Sequence, residues 1–304
     1  MTSASDTPVV LALLEEYPSP TKREKLIDQI EELRSALATP PKGLDINKAK
    51  IKLSDLLVGR AGPGDYSEAG KLYDEILSNS LAGEAENSKA VLGRAELSLP
   101  SSNPEEVNRA IEAAATAVDS LEDREDCFFF FIKGKLLLAE LLLKRGDGEG
   151  RDFALKLYDE ILSSNQSHKY FKLRALVGKL ELLNYFNKDA LKQGADEHIA
   201  QMQELLSATK KDRAGDYFSL KGMIVLSEIL LWRDKEHMGE NARKMLSDVI
   251  NDDASCDDLR ARASLDLAEI SSPPLAKTLI KGVRRMDGLD PYLLRKAKAI
   301  ENAL

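Results

Sequence analysis

Cysteine is nearly absent: Cys127 and Cys256 are the only two in 304 residues, too few for a disulfide framework and suited to a reducing compartment. Histidine is almost as scarce. His168, His198 and His237 have no metal-ligand spacing, and neither His-Glu-x-x-His nor Cys-x-x-Cys occurs, so no metal site is expected. No Gly-rich phosphate loop follows a strand, and no stretch reads as a strand at all, which removes the usual nucleotide-cofactor signatures. Positive charge is in deficit, with 43 Lys and Arg against 51 Asp and Glu and a net charge of −8. That balance makes nucleic acid an improbable partner, because binding it requires a basic face that displaces counterions. Uncharged apolar runs are short. Val9–Leu14 is too brief for a secretory core and nothing approaches a membrane span, so neither a signal peptide nor a spanning helix is expected.

What the chain does have is a hydrophobic content of 43%, spread along its length and sufficient for a core, and an internal repeat. Residues 71–78, Lys-Leu-Tyr-Asp-Glu-Ile-Leu-Ser, recur unchanged at 156–163, and the same offset of 85 brings Ala90, Gly93, Glu96 and Leu97 onto Ala175, Gly178, Glu181 and Leu182. A nine-residue signature underlies this offset and occurs six times: a basic residue, a small one, any residue, an aliphatic, two variable positions, usually a small residue, an acid, and Leu or Ile. The basic slot holds Lys48, Lys89, Lys133, Arg174, Lys221 and Arg262, and the following small slot Ala49, Ala90, Gly134, Ala175, Gly222 and Ala263. The aliphatic slot holds Ile51, Leu92, Leu136, Val177, Ile224 and Leu265; the acid slot holds Asp55, Glu96, Glu140, Glu181, Glu228 and Glu269. Successive copies lie 41, 44, 41, 47 and 41 residues apart. Such offsets build an apolar helical face against which a neighbouring backbone can lie close.

A second helix follows at fixed distance in each unit. Ala69, Ala110, Ala154, Ala195, Ala242 and Val283 stand in corresponding places, with core-type residues three, four and seven positions on, as in Leu72, Tyr73 and Ile76. The set His198, Ile199 and Met202 fits less well. Breaks such as Gly62-Pro63-Gly64-Asp65 and Gly146 to Gly150 read as helix stops followed by restarts. Leu26, Ile30, Leu33 and Leu37 form a helical stripe before the first unit, and Leu293, Leu294, Ala297 and Ile300 form one after the last. The expectation is a flexible segment over 1–19 and a single domain over 20–304.

An alanine followed four residues later by Tyr and seven later by Ile, after a Gly-Asp turn, resembles the second helix of a tetratricopeptide repeat; Gly64 to Leu77 carries this best. The resemblance implies an all-α fold, a right-handed α-solenoid of about six antiparallel hairpins with period 41–47 and terminal capping helices. The usual period of that family, about 34, is shorter. Longer-helix versions, such as those of kinesin light chain and the adaptor Pins, look closer, and HEAT and armadillo repeats share the longer period. In tetratricopeptide proteins the first helices line a concave groove that grips extended peptides, and the same is implied here.

Each basic slot lies seven residues before the acid of its own helix, two turns and roughly 10 Å away. Stacking would draw a basic row, Lys48 to Arg262, beside an acidic row, Asp55 to Glu269. These rows have two readings: a concave face that orients a partner peptide or helix by charge, or a ladder of ion pairs between repeats, worth about 0–1 kcal/mol each. An acid at the position nearest the carboxylate-clamping asparagine of chaperone-tail modules would repel a C-terminal carboxylate. Phe128, Phe129, Phe130 and Phe131 form either an apolar hot spot or a covered stretch. Trp232, at the end of a first helix, reads as core in preference to a partner anchor. The basic surplus over 277–298 is a solvated cap face or a dock for an acidic partner. No catalytic constellation, cofactor site or small-molecule substrate is expected. The chain reads as a cytoplasmic or nuclear scaffold or adaptor that binds a protein or peptide. The alternative is a constitutive subunit held in an assembly by its convex face, edges or caps.

Overall fold

Small and aliphatic residues at helical offsets favour helices packed pairwise, and α-helix with no strand is what the described residues adopt. The computed structural model describes residues 23–304 apart from residues 61, 214–216 and 254; the segment 1–19 lies outside the described residues. Fifteen α-helices and one short 3-10 turn occur among them, and no helix is long and apolar enough to cross a membrane. The chain divides into two compact units, one ending at Ser167 and one beginning at His168.

The first unit contains α1 (Arg23–Ala38), α2 (Ile46–Arg60), α3 (Asp65–Leu77), α4 (Glu84–Glu96), α5 (Pro104–Leu121), α6 (Phe128–Arg145) and α7 (Gly148–Ser163). Each helix packs on the next. The helices that carry the nine-residue signature also touch one another, α2 with α4 and α4 with α6. The stripe of α1 closes the near end, with Ile30 and Leu33 fully buried against the α2 core. Turn chemistry sets the breaks. Gly64 (φ 85°) and Gly146 (φ 82°) occupy the left-handed region before α3 and after α6. Asn103 caps α5 by accepting from the Glu105 amide at 3.0 Å, with Pro104 at the first helical position.

The second unit contains α8 (Lys169–Phe186), α9 (Lys188–Gln193), α10 (Ala195–Arg213), α11 (Tyr217–Arg233), α12 (Lys235–Asn251), α13 (Asp257–Glu269), α14 (Pro273–Val283) and α15 (Pro291–Ala303). Here α8 touches α11, α11 touches α13, and α13 touches α15. The poor fit at His198 has a local cause: the helical segment is broken near Gly194 into α9 and α10, so Ala195 opens a helix instead of sitting inside one.

All six small slots, all six aliphatic slots and all six residues at the second-helix alanine position are buried. Their size is a packing requirement. At Gly93 a Cβ would fall 2.1 Å from Cζ of the fully buried Tyr73, so α4 can cross α3 only without a side chain there. Gly93→Ala is therefore expected to cost about 2 kcal/mol through overpacking. Urea unfolding followed by helical circular dichroism checks this, and an unshifted midpoint would mean that the two helices separate freely.

Candidate functional site

Because the first helices lie side by side within each unit, a charge on one can reach the helices before it. In the first unit Lys133 on α6 does so twice: its Nζ lies 3.1 Å from Asp55 Oδ1 on α2 and 3.0 Å from Glu96 Oε2 on α4. The buried Tyr73 hydroxyl donates to the same Asp55 oxygen at 3.1 Å. Burial works against the charge on Lys133, but the two carboxylates prevail and hold its pKa above the ordinary lysine value.

The second unit repeats the arrangement on a larger scale. Arg262 on α13 donates from Nη1 to Glu181 Oε1 on α8 at 2.6 Å, and from Nε and Nη2 to the two oxygens of Glu228 on α11, both at 2.9 Å. Lys221 Nζ sits 2.7 Å from the other Glu181 oxygen. Burial would raise the Glu181 pKa, yet Lys221 and Arg262 keep it below the usual carboxylate value. Lys296 on α15 pairs with Asp266 on α13 and lies 3.4 Å from Glu269. Glu228 behaves differently: burial, only partly offset by Arg262 and reinforced by Asp266 within hydrogen-bond reach, pushes it up to about 7. Asp266 is 3% exposed, and its Oδ2 has no hydrogen-bond partner.

Above these pairs opens a cleft of about 690 Å³, walled by α8, α11, α13 and α15. Its carboxyl groups are Glu181, Glu228, Asp258, Asp266, Glu269 and Asp290; its cations are Lys188, Lys221, Arg262 and Lys296. Carboxyl groups are thus in excess by two. Four aromatic side chains also line it and remain exposed, Tyr185, Tyr217, Trp232 and Tyr292. Tyr185 and Tyr292 bring their hydroxyls together from α8 and α15, and burial followed by that contact raises the Tyr185 pKa. Lys192 lies 5.3 Å above the Trp232 ring, and Lys221 lies 5.9 Å from that of Tyr217.

The twelve residues of the two rows are therefore distributed unevenly. Lys133 with Asp55 and Glu96, and Lys221 and Arg262 with Glu181 and Glu228, are brought together; Glu269 meets Lys296. Lys89 and Arg174 lie over the rings of Phe130 and Phe218, at 4.5 and 4.6 Å. Lys48 is exposed at the start of α2, and Glu140 is partly buried on α6. Phe131 is buried and Phe128, Phe129 and Phe130 are partly buried, with Phe130 packed on the α2 core.

Trp232 requires a correction: it is not core but 46% exposed at the cleft. It stands four residues beyond Glu228, as Tyr185 stands four beyond Glu181, one turn further along the same helical stripe. Tyr217 and Tyr292 precede Lys221 and Lys296 by the same interval. That register was the available signal for the aromatic wall. It lies outside the nine-residue signature, which comprises only positions shared by all six copies.

No protein-family model matches this sequence, and no curated protein matches it either.

Proposed function

We propose that the chain is a non-catalytic, tetratricopeptide-like protein-binding scaffold that grips a partner segment in the cleft of its second unit. The Ala-to-Tyr-to-Ile pattern of its second helices and the successive helix pairs support the family reading. The observation that carries the functional reading is the aromatic wall. Four exposed Tyr and Trp side chains converge on one concave site, the composition and setting in which binding energy concentrates at protein interfaces. The charged rows then act chiefly as stitches between first helices, while the aromatics supply affinity. Two free cysteines suit a cytoplasmic or nuclear setting.

A second reading, a constitutive subunit held by other surfaces, draws support from the mutual pairing of those charges, which leaves less of the rows for a partner. Affinity capture from native lysate with wild-type protein and with Trp232→Ala and Tyr185→Ala separates the two. Both residues are exposed, so each variant should keep wild-type helicity and thermal midpoint, and a cleft binder should lose its partner. Full retention of the partner by both variants would remove the cleft from the account.

A further inference from the structure

The cations of the cleft floor are already committed. Arg262 is shared between Glu181 and Glu228, Lys221 is held by Glu181, and Lys296 by Asp266. An incoming phosphate or carboxylate would have to break one of these pairs or settle for the exposed Lys188 at the edge, and in either case would face a wall in which carboxyl groups are in excess. A cation meets the excess of carboxyl groups instead, with Arg262 and Lys296 as its nearest like charges. Asp266 is buried and keeps one oxygen without a donor, and a buried acceptor left unmatched costs free energy that an entering donor recovers. The aromatic faces add to this, since two of them already draw lysines of the chain itself, Lys192 and Lys221. A bare divalent ion is a poorer candidate, because no cluster of three or more His, Cys, Asp or Glu side chains suited to a metal occurs among the described residues.

On the reading of this cleft as the partner site, we infer that its occupant is an extended protein segment that presents a lysine or arginine side chain between apolar residues. The cationic head enters toward Glu228 and Asp266, and the flanking apolar groups rest on Trp232 and Tyr185. The cleft volume is that of a site for a drug-sized ligand, which suits a few consecutive side chains and not the face of a long helix.

The test is selection of a phage-displayed random dodecapeptide library on the full chain. Enriched sequences are then synthesised with a fluorescein label and titrated by anisotropy. The expected result is enrichment of a Lys or Arg with apolar neighbours. Replacing that residue by norleucine should weaken binding about tenfold or more, and Trp232→Ala in the protein should do the same. Enriched peptides that depend on Trp232 but carry an acidic or purely apolar centre would overturn this inference and leave the cleft as the partner site. Peptides insensitive to both Trp232→Ala and Tyr185→Ala, or no enrichment at all, would overturn both.

Discussion

Lys133→Met should destabilise the first unit by about 3 kcal/mol, the lower part of the range for breaking a buried ion pair. The methionine fills nearly the same space, so the loss comes from Asp55 and Glu96, which are left facing each other with only 16% and 18% of their side chains exposed. Neutralising them should recover most of it: the triple variant Lys133→Met, Asp55→Asn, Glu96→Gln is expected within about 1 kcal/mol of wild type, because a low-dielectric site tolerates a neutral trio better than an orphaned pair. Urea midpoints of the single and triple variants measure both effects. A single variant as stable as wild type would reduce the Lys133 cluster to a surface contact. The same geometry undermines the obvious functional experiment. Reversing Lys133 to Glu would bring a third carboxylate against Asp55 and Glu96 and disturb the fold before it could report on a partner. Exposed cleft aromatics are better probes of binding than the charged rows.

The helices were legible because their determinants are local. Alanine, glycine and aliphatic slots at fixed offsets mark the buried face of every repeat, and the breaks at Gly64 and Gly146 mark helix ends. The spacing also placed the charges on the correct helices, and the row-to-row reading anticipated partners such as Lys133 with Glu96. Two features were hidden for a different reason. Lys133 reaches back to Asp55 as well as to Glu96, and Arg262 to Glu181 as well as to Glu228; this skip depends on how long side chains cross three packed helices, which no offset along one helix encodes. Along the sequence Lys296 belongs only to a basic surplus, because α15 lacks the full nine-residue signature. Only its contact with α13 shows that it continues the sequence of paired cations. The aromatic wall lies outside the positions that all copies share, since the places of Tyr185, Tyr217, Trp232 and Tyr292 are not aromatic in every copy.

Stability of the second unit should fall as the pH rises from about 5 to about 8, by an amount of order 3 kcal/mol that Glu228 accounts for. The sign follows from its environment. Glu228 is raised from an ordinary value of 4.5 to about 7, first by burial and then by Asp266 against the counteracting Arg262. The folded state therefore holds a proton that the unfolded chain releases near pH 4.5. Its contribution is complete below that pH and is lost as the pH passes through about 7. The groups around it do not reverse this. Glu181 on α8 is shifted downward, so its contribution disappears only at acid pH, below the window in question. Arg262 on α13 and Lys296 on α15 are held above their ordinary values and remain charged throughout. Tyr185 and Tyr217 are raised and remain neutral. Physically, burial and the neighbouring Asp266 keep the proton on Glu228, and removing it leaves a second buried charge beside Asp266 with Arg262 and Lys296 as the nearest cations. Glu228→Gln puts a permanent donor in that place and should flatten the slope between pH 5 and 8 relative to wild type. Asp266→Asn, which supplies the donor from the other side and keeps a carbonyl for Lys296, should do likewise. The difference between wild type and variant cancels the titration of the three histidines. Urea midpoints at four pH values decide the matter: parallel curves for wild type and both variants would show that Glu228 holds no proton across this range.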